Sequence, residues 1–348
     1  MIEVDGIIFS LQRHGGVSVY TRQVIAGLEA AERSAVLSLV EPNHVRPQEL
    51  SFKKVEVRAR PARLLERYRP FPSVPEASLA HSTYYRVPVD ARVPLVTTVH
   101  DFIYERYFTG PALWVHRTQK RRAIQRSVAV ICVSHATRSD LLRFVPEVNP
   151  ATVKVVHNGV GEEFGPCAVA APERPFVLFV GKREGYKNFR LVLHALDQLR
   201  GWSVVCVGGE APGDPDFVEL PEGARSQVTF LRGIGNTELN RLYNQAVCLA
   251  YTSEYEGFGI PVLEAMRAGC PVVTAGCPSV LEIAGRACRV VPPDDPGAFA
   301  RACREVVEPA ARKELQEAGI EAAKAFSWSR CHGETAAVYD EVLRYAAR

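Results

Sequence analysis

Short apolar runs alternate with longer stretches of helical periodicity along most of the chain. The runs lie at Val36–Val40, Leu95–Val99, Val128–Val133, Val153–Val156, Phe176–Val180, Ser203–Val207, Val228–Leu231, Val247–Tyr251 and Pro271–Thr274. Runs this short, rich in β-branched residues and apolar on both faces, predict buried strands. Between them, Val17–Ala30, Arg117–Ser127, Thr137–Phe144, Phe189–Arg200, Thr237–Gln245 and Pro261–Ala268 carry apolar positions at helical spacing. Strand and helix in alternation predict an α/β fold of parallel sheets, each covered by helices on both faces.

The alternation breaks at Gly161–Pro175, GEEFGPCAVAAPERP, which has no periodicity and is rich in Gly, Pro and Ala. A fresh apolar run, PFVLFVG, follows it. With 348 residues the chain is too long for one ordinary core. The expected organisation is a Rossmann-like domain over 1–165, a second over 166–328, and a C-terminal helix over 329–348. Doubly wound domains bind ligands at the carboxyl ends of their strands, so a cleft between two of them is the expected site.

Composition narrows the partners. Lys plus Arg is 42 against 39 Asp plus Glu, a net charge of +3, which argues against a dedicated nucleic-acid binder. No apolar run reaches the 18 residues of a membrane span, and Met1-Ile2-Glu3-Val4-Asp5 lacks the basic start of a signal peptide. The expectation is a cytoplasmic protein. The nine cysteines form no Cys-x-x-Cys pair, and Cys132, Cys206 and Cys248 sit inside strand-like runs. They read as buried, reduced thiols.

Four segments carry candidate chemistry. In EYEGFGIPVLEAMRAGCP, Gly257 and Gly259 flank Phe258, and Pro261 stands where a helix would start. Glycines allow a close backbone approach, and a helix N-terminus presents N–H groups to an anion. Glu264, about one turn inside, is expected to stay ionised beside the helix dipole and to accept from two adjacent hydroxyls. In FVGKREGYKNFRLVLHAL, a strand ends at Gly181 before Lys182, Arg183 and Lys187, cations suited to a diphosphate. In SLQRHGGVSVYTRQVIAGL, Gly15 and Gly16 precede an amphipathic helix whose start could meet a phosphate. In LVTTVHDFIYE, a strand runs into His100-Asp101, placing an imidazole that could donate to a sugar hydroxyl or a carbonyl. The histidines are scattered, and Asp214-Pro215-Asp216 reads as a loop, so no metal site is expected.

Together these segments resemble the retaining GT-B glycosyltransferases of family 4, in particular the mannosyltransferase-like bacterial members of polysaccharide and O-antigen pathways. The resemblance covers nearly the whole chain. It rests on GGVSVYTRQVIAGL, TTVHDFIYE, VSHATRSDLL, VVHNGV, VGKREGYKN, FLRGIGNTELNRLYNQA, the E-x7-E segment EGFGIPVLE, PSVLEIAG and FSWSRCHGETAAVYDEVL. It implies that Glu256 holds donor-sugar hydroxyls with the backbone around Phe258, Gly259 and Ile260, and that Glu264 holds the ribose. Lys187 and a second cation, Arg183 favoured over Lys182, would neutralise the diphosphate, with Gly16 and its neighbour Gly15 approaching it. His100 would lie near the reacting sugar, Ile234 near the base and Glu282 near the nucleotide's edge. One departure is Thr252-Ser253, where many members have Pro-Ser.

The implied reaction transfers a hexose, with mannose favoured, from a GDP- or UDP-sugar substrate to a hydroxyl of a glycan or lipid-linked saccharide, with retention and without a metal or other cofactor. A glycoside hydrolase using Glu256 and Glu264, a sugar-nucleotide epimerase of the same fold and a non-catalytic sugar-nucleotide-binding subunit are the other readings. Two basic stretches, RARPARLLERYRPFP with Arg58, Arg60, Arg63, Arg67 and Arg69, and WVHRTQKRRAIQR over Trp114–Arg126, suggest an anionic membrane surface or a lipid diphosphate acceptor.

Overall fold

The structure is a computed structural model that describes residues 1–12, 15–45, 52–183, 185–209 and 224–346. The Asp214-Pro215-Asp216 segment lies outside the described residues. The chain divides into two units, Met1–Asn158 with Trp328–Arg348, and Gly159–Ser327.

The first unit runs β1 (Ile2–Asp5), α1 (Ile8–Leu11), α2 (Gly16–Ala30), β2 (Ala35–Glu41), β3 (Val55–Pro61), β4 (Leu79–Ser82), β5 (Leu95–Val99), α3 (Ile103–Tyr107), α4 (Gly110–Arg126), β6 (Ala129–Cys132), α5 (His135–Phe144) and β7 (Val153–Val155). The second runs β8 (Phe176–Val180), α6 (Phe189–Ala195), β9 (Ser203–Val207), β10 (Val228–Leu231), α7 (Asn236–Gln245), β11 (Cys248–Tyr251), α8 (Ile260–Arg267), β12 (Val272–Thr274), α9 (Pro278–Ala284), β13 (Arg289–Val290), α10 (Pro296–Glu305) and α11 (Pro309–Ala323). Helix α12 (Trp328–Ala346) returns to the first unit.

The sheets are ordered β3-β2-β1-β4-β5-β6-β7 and β10-β9-β8-β11-β12-β13, with all pairings parallel. In each, strand order reverses beside the first strand, between β1 and β4 and between β8 and β11. Flanking loops diverge there and open a crevice at the carboxyl edge. The central strands are fully buried, as IEVD and LAHS in the first unit and CLAY in the second show. Strand β3, VEVRARP, buries only Val55 and leaves its other residues exposed or half-buried because it lies at an edge.

The Gly161–Pro175 stretch is not a free linker. Asn240 and Asn244 on α7 accept from the Gly165 and Cys167 N–H groups at 3.0 and 2.9 Å, and Asn244 Nδ2 donates to Gly165 O at 3.0 Å. These bonds fasten the stretch to the second unit, so the division falls earlier than composition suggests. Eight of the nine cysteines are buried thiols outside any disulfide, and Cys167 is exposed.

Helix α12 packs on α2 where Gly27 faces the His332 ring. A Cβ on Gly27 would lie 2.7 Å from that ring. Tyr339 on α12 joins His81 Nδ1 at 2.6 Å, and His81 Nε2 reaches Thr98 Oγ1 at 2.8 Å. Thr98 also meets Tyr20 Oη at 2.8 Å. On an exposed helix Gly→Ala would stabilise by about 1 kcal/mol. Here Gly27→Ala is expected to destabilise by ~1–3 kcal/mol through overpacking, read as a lower Tm. A higher Tm would mean that the α2–α12 contact is loose.

Candidate functional site

The β8/β11 switch point of the second unit gathers the two richest sequence segments. Beyond Gly181, the chain forms a tight turn at Gly185–Lys187 before α6. Beyond β11, it runs through Thr252 to Gly259 into α8. The two stretches are stitched together. The Glu254 N–H donates to Tyr186 O at 2.9 Å. The buried Thr252 hydroxyl is shared between Lys187 O at 2.9 Å and Asn188 O at 3.0 Å. Thr252 therefore replaces a residue with no donor by one that fastens the basic turn.

The stitching brings Lys187 Nζ onto Glu256 Oε1. Both side chains are largely buried, at 16% and 10% exposure, so the pair is desolvated. Removing one partner would strand the other charge. The Ser279 hydroxyl donates to Glu256 O at 2.7 Å and fixes the backbone beneath the carboxylate. The Lys187 ammonium also lies 5.7 Å from the Tyr251 ring centre.

Gly259 has φ +131°, in the region that favours glycine, and begins α8. The helix starts at Ile260, with Pro261 in its first turn. Val262 and Leu263 N–H both return to Gly259 O. Phe258 is buried, edge-on to Phe326 at 6.1 Å.

Glu264 corrects the expectation of an ionised carboxylate. It is the fifth residue of α8, beyond the first turn where the dipole acts. Burial pushes its pKa up to about 7, although the Tyr243 hydroxyl donates to Oε2 at 2.9 Å and opposes the rise. Glu256 and Glu264 thus have separate partners and are not presented as an acid–base pair.

The other predicted residues are spread along the same edge. Gly181 donates its N–H to Val207 O at 2.9 Å. Lys182 is exposed. Arg183 donates to Gly208 O at 3.3 Å and lies 4.8 Å over the Phe230 ring, toward β9 and β10. Ile234 is half-buried between β10 and α7, and Glu282 is half-buried on α9.

In the first unit, Gly15 caps α2 and Gly16 is its first residue. A Cβ on Gly16 would meet no atom of the described residues within 4 Å. His100 follows β5. Its Nε2 lies 3.1 Å from Thr83 O, a carbonyl that can only accept, so the ring proton is on Nε2. Burial, helped by the nearby Lys120, lowers its pKa to about 4, and the ring is neutral at pH 7. The expected donor is therefore spent on Thr83, and Nδ1 is left as an acceptor. The Tyr20 ring braces the imidazole edge-on at 5.0 Å. Lys120, buried and bonded to Asp101 O at 2.9 Å and Glu105 Oε2 at 2.8 Å, fixes the following turn.

The basic stretches are largely neutralised within the unit. Arg58 pairs with Glu56, Arg60 and Arg63 with Glu66, Lys120 with Glu105 and Arg121 with Glu147. They do not form one continuous cationic face.

Two family models match the chain. One, described as Glycosyltransferase Family 4, spans residues 14–164, and one, described as Glycosyl transferases group 1, spans residues 174–308. The chain belongs to glycosyltransferase family 4. The O-antigen chain mannosyltransferase B of Escherichia coli is 28% identical over 70% of this chain and 69% of its own length. The serotype-specific mannosyltransferase WbdA of Escherichia coli is 26% identical over 72% of this chain but only 34% of its own length. Among solved structures, sucrose-phosphate synthase from Thermosynechococcus elongatus gives a TM-score of 0.76 at 20% identity, covering 100% of this chain and 99% of that one. Anabaena HepE in complex with UDP and glucose gives 0.76 at 17% identity, covering 97% and 99%. The fold is GT-B. Among the described residues no helix is long and apolar enough to cross a membrane.

Two outcomes follow for this site. Thr252→Val is expected to raise KM for a nucleotide-sugar about 3- to 10-fold, from a hydrogen bond worth ~1 kcal/mol, while Thr252→Ser stays near wild type. Equal losses in both would assign Thr252 to packing alone. Glu264 holds its proton in the folded protein up to about pH 7 and accepts from two hydroxyls only once ionised. Affinity for a nucleoside diphosphate, measured by calorimetry, should therefore rise from pH 6 to pH 8. Glu264→Gln should remove that rise, and an identical profile in the variant would exclude Glu264 as the source.

Proposed function

We propose that the protein is a retaining hexosyltransferase. It moves a hexose, with mannose favoured, from a nucleoside-diphosphate sugar to a hydroxyl of a glycan or lipid-linked saccharide in the synthesis of a bacterial surface polysaccharide. The observation that carries this reading is the Lys187–Glu256 pair at the β8/β11 switch point, beside the start of α8. A cation and a helix N-terminus at one point suit a leaving diphosphate, and a carboxylate beside them suits sugar hydroxyls. The mannosyltransferase names of the relatives and the UDP and glucose bound to HepE agree with it.

In this reading, Lys187 and Arg183 stabilise the diphosphate as it takes up the bonding electrons, which is the charge a metal would otherwise offset. Glu256 positions the donor sugar through its hydroxyls. His100, neutral and with Nδ1 unprotonated, accepts from a sugar hydroxyl rather than donating to it. Gly16 leaves the start of α2 clear for a phosphate oxygen. The acceptor hydroxyl attacks the anomeric carbon on the face from which the diphosphate departs, and a departing phosphate oxygen takes its proton. The cations left exposed along α4, Arg117 and Arg122, are the ones available to an anionic membrane surface.

The deciding measurement is thermal stabilisation of the purified protein by UDP, GDP, dTDP, CDP and ADP, with NAD as a control. One nucleoside diphosphate is expected to raise Tm clearly. Lys187→Ala and Glu256→Ala, each checked for folding, should lower kcat/KM between about tenfold and more than a hundredfold, from charge-assisted hydrogen bonds of roughly 1.5–3 kcal/mol. Stabilisation by NAD alone, or near-normal turnover in either folded variant, would overturn the reading.

A further inference from the structure

The β1/β4 switch point of the first unit holds a cluster that the transfer chemistry above does not use. Glu66, with its side chain 4% exposed, receives three guanidinium groups. Arg60 Nη2 reaches Oε1 at 2.5 Å, and Arg63 reaches Oε2 through Nε at 2.7 Å and Oε1 through Nη2 at 3.1 Å. Arg86 Nη2 stands 3.3 Å from the same Oε1. Arg86 lies in the connection between β4 and β5, and on its other side Nε is 3.5 Å from Asp5 Oδ2 at the end of β1. The cluster therefore occupies the crevice where doubly wound sheets take their ligands.

Arg86 differs from its neighbours. Its side chain is wholly buried beneath Phe71, yet among the described residues none of its three nitrogens makes a hydrogen bond of acceptable geometry, and neither does Asp5 Oδ2. A guanidinium has five N–H donors, and leaving them unmatched inside a protein is costly. A closed structural cluster would turn the fork of Arg86 squarely onto a carboxylate, as Arg63 does. Instead, its donors stand between two carboxylates, 3.3 Å from a Glu66 oxygen that two other arginines already share and 3.5 Å from Asp5 Oδ2, without hydrogen-bond geometry to either. The segment bearing Glu66 also exposes apolar side chains, with Leu64 80%, Leu65 64% and Tyr68 45% exposed. Leu65 is held at φ +58°, a left-handed conformation that is strained for its side chain.

We propose that Arg60, Arg63 and Arg86 form a binding site for the phosphoryl group of a lipid-linked acceptor, and that Glu66 fills the place of that phosphate in the free protein. The word acceptor rests on the transferase reading, but the site itself does not. A phosphoryl group presents several charged oxygens in three dimensions and can satisfy three guanidinium forks that one planar carboxylate cannot. Displaced, Glu66 moves out with its segment, and Leu64, Leu65 and Tyr68 flank the site as a rest for an apolar chain.

The test is chemical rescue in the full-length protein. Glu66→Ala and the isosteric Glu66→Gln empty the cradle and are expected to lower Tm, by on the order of 5 °C for Glu66→Ala. Inorganic phosphate, compared with chloride at equal ionic strength, should raise Tm more in both variants than in wild type. Adding Arg86→Gln to either variant should abolish that excess. Phosphate bound near Lys187 contributes equally to all these proteins and cancels in the differences. No excess in either variant, or an excess that survives Arg86→Gln, overturns the site. Short-chain phosphatidic acid below its micelle concentration should bind Glu66→Gln at least tenfold more tightly than inorganic phosphate, and Leu64→Ser with Leu65→Ser should remove the gain. Equal affinity for the two overturns the assignment to a lipid-linked ligand. These are binding measurements, so their failure is distinct from a failure of the nucleoside diphosphate screen.

Discussion

Parallel strand pairing is the constraint on which the rest of this structure depends. A strand that pairs only with parallel neighbours must return by a crossover, and every crossover starts from the same edge of the sheet. All chain segments leaving the carboxyl ends of β1, β4 and β5, or of β8, β9 and β11, are therefore delivered side by side. Where the winding direction reverses, the flanking crossovers part to opposite faces of the sheet, and chemistry collects at that edge. His100, Arg86 and Asp5 in one unit, and Lys187, Thr252 and Glu256 in the other, are close to their partners for this reason.

Burial then decides what those groups can do. At the β8/β11 edge a buried ammonium and a buried carboxylate offset each other, so neither is left as an isolated charge in a poor solvent. Glu264 has a phenol for a partner instead of a cation, and keeps its proton to about neutrality. His81, His100 and His116 have pKa values lowered by burial to about 3, 4 and 3. They enter the folded state neutral, and the imidazole is then defined by which ring nitrogen holds the proton.

The strands with long apolar runs were legible because the pattern that buries them is local. FVLFV and LVTTV form strands over the same residues that hydrophobicity marks out. Strands β1, β3 and β4 were not, because IEVD and LAHS are short and half polar, and VEVRARP is an edge strand with three charges and a single buried residue. The E-x7-E segment and the basic turn were legible as motifs, and their meeting could be anticipated from the fold. What escaped the sequence was electrostatic and tertiary. The protonation of Glu264 comes from burial in the packed fold, against a hydrogen bond from Tyr243, 21 positions away. The arginine-rich stretches look like a cationic face until Glu56, Glu66, Glu105 and Glu147 are placed among them. Arg86 stands alone in YYRVPVD, with nothing nearby to mark it.

The return of α12 to the first unit has a consequence for how the protein is made. The second unit is an insertion whose ends are joined at Val160 and Ser327, so it has all its strands before α12 is synthesised. The first unit has its strands by then but lacks its last helix, because Tyr339, which closes the His81–Thr98–Tyr20 network, belongs to α12. The usual order, in which the N-terminal domain matures first during synthesis, is reversed here. The half of the protein translated first waits, with the α2 face that will receive α12 still uncovered, until the half translated second has been completed.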